Sequence, residues 1–497
     1  MKKLYTNGFV IPLLLLKAKL EEEKIDVLLE GEFPPAAGSI SPIVAWPTLF
    51  VTQEKDYHRA EKILEAFLVD HENRSQVDWI CVDCYSEVPG EFEFCWKCQH
   101  GKPCYQAVEE AWCAHNYAPL PVVLVRGQGI YVWDESGKRY MDMMSAYSAV
   151  SLGHAHPVVL KALMDQAQTL SIVSRAYSTS KLGPFLKRAC ELTGYDRALP
   201  MNSGAEAVET AIKAARKWGY QVKKVKPNQA EIIVCEGNFH GRTTTIISMS
   251  SEAQYKDGFS PLTPGFVRIP YNDSSALEKA ITENTVAFLV EPIQGEAGII
   301  VPDKGYLKRC AEICKKHNVL LICDEVQTGL GRTGKLLACF HDDVKPDAVV
   351  LGKALGGGFL PVSLFLAKQE VMAVFAPGDH GSTFGGNALS SAVGLASLNV
   401  IISLQLSQRA EELGHYFLSE LKKIQHPAIK TVRGKGLLIG LEMNTGHFDA
   451  HDIALKLLEQ GILTKETHHT VLRFAPPLII TKEQIDDALN IIRKVFR

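Results

Sequence analysis

The 497-residue sequence has no run of eighteen or so apolar residues, the length a helix needs to cross a bilayer. It also has no surplus of either charge: 53 Lys and Arg stand against 56 Asp and Glu, a formal net charge of −3. That balance leaves no basic field, so neither nucleic acid nor a membrane surface is expected as a partner. The N-terminal FVIPLLLL is short and runs into KAKLEEEK rather than a small-residue cleavage site, so no secretory signal peptide is expected. Internal repeats and low-complexity runs are absent too. Apolar content of 46% and charged content of 22% are ordinary for a globular chain, and the length suits two to four domains around large cores. Cysteine is not scarce. Twelve cysteines without a signal peptide read as reduced thiols and a metal site, not a disulfide framework, and point to the cytoplasm.

Three segments differ in pattern. In residues 1–76 a strand, KKLYT, precedes an amphipathic helix from about Phe9 to Lys24. Two strand-like runs, IDVLLEG and PTLFVTQ, flank the Pro/Gly/Ser-rich FPPAAGSISP, and YHRAEKILEAFL closes the unit as a second helix. Strand–helix–strand–strand–helix predicts a small α+β, ferredoxin-like sandwich. It carries no phosphate loop, paired carboxylates or nucleophile with a base, so a binding or regulatory module fits better than an enzyme.

Residues 77–104 hold Cys81 and Cys84 in one CxxC and Cys95 and Cys98 in another. Each CxxC turn can aim two thiolates at one tetrahedral zinc, and two such knuckles complete a four-cysteine zinc ribbon. Unligated thiols are the alternative. So short a segment has little core of its own, and a metal is its natural source of stability. Cys104 and Cys113 have no partner at ligand spacing. The opening KKLYT, the KLEEEK helix end and VPGEFEFCWKC together resemble a small bacterial signal-transducing module followed by a zinc ribbon.

From residue 105 to the C-terminus, apolar strands alternate with helices, as in AEIIVCEGNF, TVAFLVEP, VLLICDE and DAVVLGK, which predicts a doubly wound α/β fold. Two of these runs end in Asp324 and Lys353, which would place both at the carboxyl edge of the sheet, where open α/β sheets bind ligands. A lysine and a carboxylate facing one pocket suit pyridoxal phosphate, the lysine anchoring its aldehyde and the carboxylate pairing with its pyridinium nitrogen. A buried ion pair is the plainer alternative. MNSGAEAVETA places Ser203, Gly204 and Ala205 at a helix entry, either an anion site or an ordinary cap by Asn202 or Ser203. Thr383 lies in the glycine-rich turn HGSTFGGN, with a hydroxyl suited to phosphate. EGNFHGRT offers Phe239, whose face could hold a flat ring, and Arg242, a fork for a carboxylate. Gln327 could reach a phenolic oxygen. Glu291 and Glu296 in EPIQGEAG, with Arg473 in VLRFAPP, allow a salt bridge or a carboxylate gate. Tyr117 and Tyr147 could each offer a hydroxyl to substrate or simply pack.

In order along the chain, AHNYAPLPVVLVRGQGIYVWD, SAYSAVSLGHAHP, MNSGAEAVETA, GNFHGRT, EPIQGEAG, DEVQTGLGRTG, LGKALGGG, HGSTFGGN, VRGKGLL and RFAPPL resemble the class III, fold-type I aminotransferases, in particular the branch that acts on ornithine. The resemblance implies a large, mostly parallel sheet domain over about 160–395 and a small α/β domain from 105–159 and 396–497. It implies that Lys353 holds the cofactor and moves the proton, Asp324 pairs with the pyridine nitrogen, Phe239 stacks on the ring and Gln327 bonds its phenolic oxygen. Ser203, Gly204 and Ala205 would bind the phosphate, with Thr383 supplied by the neighbouring subunit of a homodimer. Tyr117 and Arg242 would hold the ornithine carboxylate and Tyr147 shape the pocket. Glu296 would cover Arg473 in one half-reaction and release it for 2-oxoglutarate in the other. One departure stands out: after SRA the family often has Phe then Tyr or His, and here Tyr177 is followed by Ser178. A related ω-aminotransferase acting on N-acetylornithine or 4-aminobutyrate therefore stays open. A catalytically dead sensor or scaffold is the remaining alternative, which Lys353, Asp324 and Arg242 argue against.

Overall fold

The computed structural model describes residues 1–6, 10–30, 48–72, 78–90, 92–444 and 449–497. The FPPAAGSISP stretch, Phe9, Pro47, Glu91 and the boundary near residue 76 lie outside the described residues. The chain forms two compact units, one of residues 1–115 with 135–137, the other of 116–134 with 138–497.

In the first unit, strands Lys2–Thr6, Val27–Glu30 and Thr48–Val51 make an antiparallel sheet with Thr48–Val51 in the middle. Helix Val10–Glu22 buries Leu13, Leu16 and Leu20, spaced for a single helical face, and helix Tyr57–Glu72 adds Ala60 and Phe67. They join Leu49 and Val51, alternate residues of the central strand, in one core. This is the strand–helix–strand–strand–helix order of a ferredoxin-like sandwich. Beyond it, Trp79–Ile80 pairs with Glu87–Val88, and Trp79, Val88, Cys81 and Cys95 form a very small core. Helix Tyr105–Trp112 follows.

The second unit is built on a seven-stranded sheet in the spatial order Phe266–Ile269, Glu231–Cys235, Thr285–Val290, Leu320–Asp324, Ala348–Leu351, Ser363–Ala367, Arg197–Met201. The first five run parallel, and Ser363–Ala367 is antiparallel to both its neighbours. Side chains alternate between two cores. Ile233, Phe288, Leu321 and Val349 face one that includes Leu307 and Cys310 of helix Tyr306–Lys316. Ile232, Leu289, Ile322 and Val350 face another that includes Val208 and Ile212 of helix Gly204–Trp218. With both faces covered, the central strands read as unbroken apolar runs, and the fold is the doubly wound α/β architecture. Two four-stranded sheets complete the unit: Leu124–Gln128, Tyr131–Asp134, Arg139–Asp142 with Ile462–Leu463, and Ile429–Lys435, Leu438–Met443, Val471–Phe474 with Glu466–Thr467. No single described helix is long and apolar enough to cross a membrane.

Candidate active site and thiol cluster

Three parallel strands deliver the site. Asp324 is the last residue of Leu320–Asp324, and Lys353 stands two residues past Ala348–Leu351. Phe239 and His240 lie in the turn that follows Glu231–Cys235. Lys353 adopts a left-handed backbone, φ 45°, a conformation that costs a non-glycine residue energy and that re-aims its side chain at the sheet edge. The result is a cavity of about 170 Å³ lined by Gly204, Ala205, Phe239, His240, Gly241, Glu291, Asp324, Val326, Gln327, Thr328 and Lys353. Gly204 must lack a side chain here, since a Cβ would stand 2.9 Å from Val326 Cγ1. Gly295 is tighter still, with Gln327 Oε1 occupying the space a Cβ would need.

Asp324 is buried and pinned at both oxygens. Oδ1 accepts the Val326 amide at 3.0 Å, and Oδ2 lies 2.7 Å from His240 Nδ1. Burial favours a neutral His240, but the bond to Asp324, its charge and that of Glu291 outweigh it, so the imidazole holds its proton more tightly than usual. Glu291 accepts the Phe239 amide at 3.0 Å and the Gly295 amide at 3.4 Å. Burial pushes its carboxyl up to about 7, opposed by His240 and reinforced by Asp324. Burial likewise pushes the Lys353 amine down, with Glu296 and Asp324 pulling it back. Lys353 is half-buried because it faces the open cavity while packed residues desolvate it from every other side.

At the opposite end, helix Gly204–Trp218 leaves the amides of Gly204 and Ala205 without intrahelical acceptors. Ser203 is exposed and engaged in a capping box, its amide donating to Glu206 Oε2 at 2.6 Å and its hydroxyl accepting from the Glu206 amide at 3.2 Å. Of the trio at the helix entry, Gly204 and Ala205 thus line the cavity and Ser203 caps the helix. Arg242 is exposed, with its guanidinium 3.6 Å over the Tyr255 ring and 5.5 Å from that of Phe239. Tyr117 is 82% exposed, and Thr383 is exposed beside Ser382, whose hydroxyl accepts from Asn202 at 3.0 Å. Neither Tyr117 nor Thr383 is part of the cavity wall. Tyr177 is also exposed.

Arg473 is buried and bonded to Glu296 Oε1 at 2.7 Å, with the Tyr147 ring 4.6 Å from its guanidinium. Tyr147 sits in Ser145–Ser148, where four successive residues have positive φ, a left-handed turn that no propensity argument would anticipate. His240, Gly241, Val326 and Thr328 line the cavity without a role assigned from the sequence, and Tyr255 lies against Arg242 outside the cavity wall. His240 follows Phe239 directly, so its place in the motif was a usable signal; Tyr255 gave none.

In the first unit, the thiols of Cys81, Cys84, Cys95 and Cys98 all lie within 4.8 Å of one another. Cys81 and Cys98 are 3.4 Å apart and Cys84 and Cys95 3.5 Å. A tetrahedral zinc with Zn–S bonds of about 2.3 Å separates its sulfurs by about 3.8 Å, so this donor set fits structural zinc.

The cavity fits pyridoxal phosphate. It has an anion-binding helix end, an aromatic face, a carboxylate for the ring nitrogen and a lysine for the aldehyde. Residues 112–496 match the family Aminotransferase class-III. Ornithine aminotransferase of Geobacillus sp. (strain WCH70) is 56% identical over 387 residues, which cover 78% of this chain and 96% of that protein. Among solved structures, ornithine aminotransferase from Toxoplasma gondii ME49 superposes with TM-score 0.78 at 47% identity, covering 79% of this chain and 94% of its own. Acetylornithine aminotransferase from Elizabethkingia anophelis does so with TM-score 0.72 at 51% identity, covering 79% and 98%. With a lysine and an aspartate at the carboxyl edge of a doubly wound sheet, and relatives matched along nearly their whole length, this chain belongs to the class III, pyridoxal-phosphate-dependent aminotransferases.

Proposed function

We propose that this enzyme transfers the δ-amino group of L-ornithine to 2-oxoglutarate, giving glutamate 5-semialdehyde and glutamate. The observation that carries this reading is Arg473 held by Glu296 beside Tyr147, with both charges felt at Lys353. A diamine-type amino acid and a dicarboxylic oxoacid must use one pocket in turn. A guanidinium that a neighbouring carboxylate can cover or release answers both needs. Tyr117 and Arg242 hold the ornithine carboxylate, and Tyr147 shapes the pocket around its chain.

Bound pyridoxal phosphate supplies the electron sink that lets the carbon bearing the substrate nitrogen lose a proton. Asp324 would keep the ring nitrogen protonated, Phe239 would hold the ring flat and Gln327 would bond the phenolic oxygen. Ser203, Gly204 and Ala205 would bind the phosphate, joined by Thr383 of the partner subunit in a homodimer. Lys353, its amine favoured in the neutral form by burial, would hold the cofactor and carry the proton released by the substrate.

Residues 1–76 act as a binding or regulatory module, 77–104 as a structural zinc ribbon and 105–497 as the catalytic body, in the cytoplasm. The exposed Tyr177 followed by Ser178, together with the 51% identity to the acetylornithine enzyme, favours N-acetylornithine as the second reading. Steady-state turnover of the full chain with ornithine, N-acetylornithine and 4-aminobutyrate decides between them: ornithine should have the highest kcat/KM. A preference for N-acetylornithine would transfer the assignment to that substrate.

A further inference from the structure

The buried His240 is not needed to close the chemistry described above, yet it is the only side chain among the described residues bonded to Asp324. Its side chain is fully buried. Its Nδ1 meets Asp324 Oδ2 at 2.7 Å, while Nε2 is buried with no partner. An orphaned buried polar atom costs about 1–3 kcal/mol, so an apolar residue would fill this space more cheaply if filling were its task. The bond itself fixes the proton: an acceptor carboxylate at Nδ1 requires a hydrogen on that nitrogen.

Geometry gives that bond a consequence. Each carboxylate oxygen has two acceptor positions. In Asp324, one on Oδ1 is taken by the Val326 amide and one on Oδ2 by His240. The carboxylate is thereby held against rotation about its last bond, with its remaining acceptor positions available to the cavity it lines. His240 immediately follows Phe239, so one short turn sets both the aromatic face and the orientation of the carboxylate at the ring's nitrogen.

We infer that His240 is a positioning residue for the cofactor: its Nδ1–H clamps Asp324 and presents the free edge of that carboxylate to the pyridinium nitrogen of pyridoxal phosphate. This rests on the pyridoxal-phosphate reading of the cavity. The clamp belongs to the nitrogen at Nδ1, not to the volume or polarity of the ring.

Two substitutions separate these properties. The amide nitrogen of asparagine can stand near the place of Nδ1, whereas that of the longer glutamine falls near Nε2. Pyridoxal phosphate is titrated into the cofactor-free full chain, and its dissociation constant is read from the absorbance of the bound cofactor. Thermal midpoints of the cofactor-free proteins are recorded alongside. His240→Asn should bind within about threefold of the unmodified protein, and His240→Gln about tenfold more weakly, the loss of one charge-assisted bond. kcat should fall in step for His240→Gln, with KM for the amino donor nearly unchanged. A space-filling role predicts the reverse order, since glutamine is closer to histidine in size. Equal affinities, or asparagine weaker than glutamine, overturn the clamp even if one variant is less stable. An unmodified chain that forms no pyridoxal-phosphate absorbance overturns the cavity reading and the clamp together. A normal band there with His240→Gln unaffected overturns the clamp alone.

Discussion

Glu296→Ala should change which carboxylates the enzyme accepts, and the structure sets the size of the effect. The Arg473 side chain is 6% exposed and its one carboxylate partner among the described residues is Glu296, at 2.7 Å. Before a substrate carboxylate can dock on Arg473, that charge-assisted bond must break, at a cost of about 1.5–3 kcal/mol. Glu296 is 22% exposed and regains water on release, so the lower part of that range applies. Without Glu296 the cost vanishes and 2-oxoglutarate should bind about tenfold more tightly, since about 1.4 kcal/mol corresponds to tenfold. Glutamate should improve as amino donor relative to ornithine by a similar factor, because Arg473 is then open to carboxylates throughout the cycle. The Tyr147 ring, 4.6 Å away, still faces the guanidinium and limits the penalty for the uncovered charge. Half-reaction kinetics with ornithine and with glutamate, and KM for 2-oxoglutarate, measure both effects. Unchanged kinetics with both amino donors would refute the gate.

Lys353→Ala should abolish both turnover and the absorbance of lysine-anchored cofactor; retained activity would contradict the proton-transfer role given to this amine. Replacing Cys95 and Cys98 with Ser should remove one zinc per chain by metal analysis and destabilise the N-terminal unit, leaving cofactor absorbance intact because the catalytic body has its own core. Loss of that absorbance in the double variant, or no zinc in unmodified protein prepared without chelators, would show the site or its independence to be misread. Glu291 titrates near 7 in the folded chain against 4.5 for an ordinary glutamate, so its burial favours the protonated form. The folded state then binds the extra proton, and this contribution to stability is full below about pH 4.5 and lost as pH rises through about 7, to the extent of roughly 3 kcal/mol. Denaturant unfolding of the cofactor-free protein at pH 6 and pH 8 should therefore differ more for the unmodified chain than for Glu291→Gln; identical differences would exclude Glu291 as the titrating group.

Much of this protein could be read from its residues. The unbroken apolar runs ending in Asp324 and Lys353 predicted buried parallel strands, and these are adjacent in the sheet. The paired CxxC motifs predicted a thiol cluster, and the four sulfurs meet within 4.8 Å. Both readings succeed because the information is local: a strand delivers its last residue to a defined edge, and a CxxC turn converges its own two thiols. Other features were settled only in three dimensions. That His240 rather than solvent holds Asp324 depends on a contact between residues 84 apart in sequence. The Glu296–Arg473 pair joins residues 177 apart, and Tyr147 reaches it through a left-handed turn that L-residues resist. Ser203 could meet an anion or cap its helix, and its capping bonds with Glu206 became visible only in the structure. Sequence fixes what each residue can donate, accept or bury. Which groups share one desolvated space, and so which proton stays on which atom, follows only from the packing that brings distant strands and turns together.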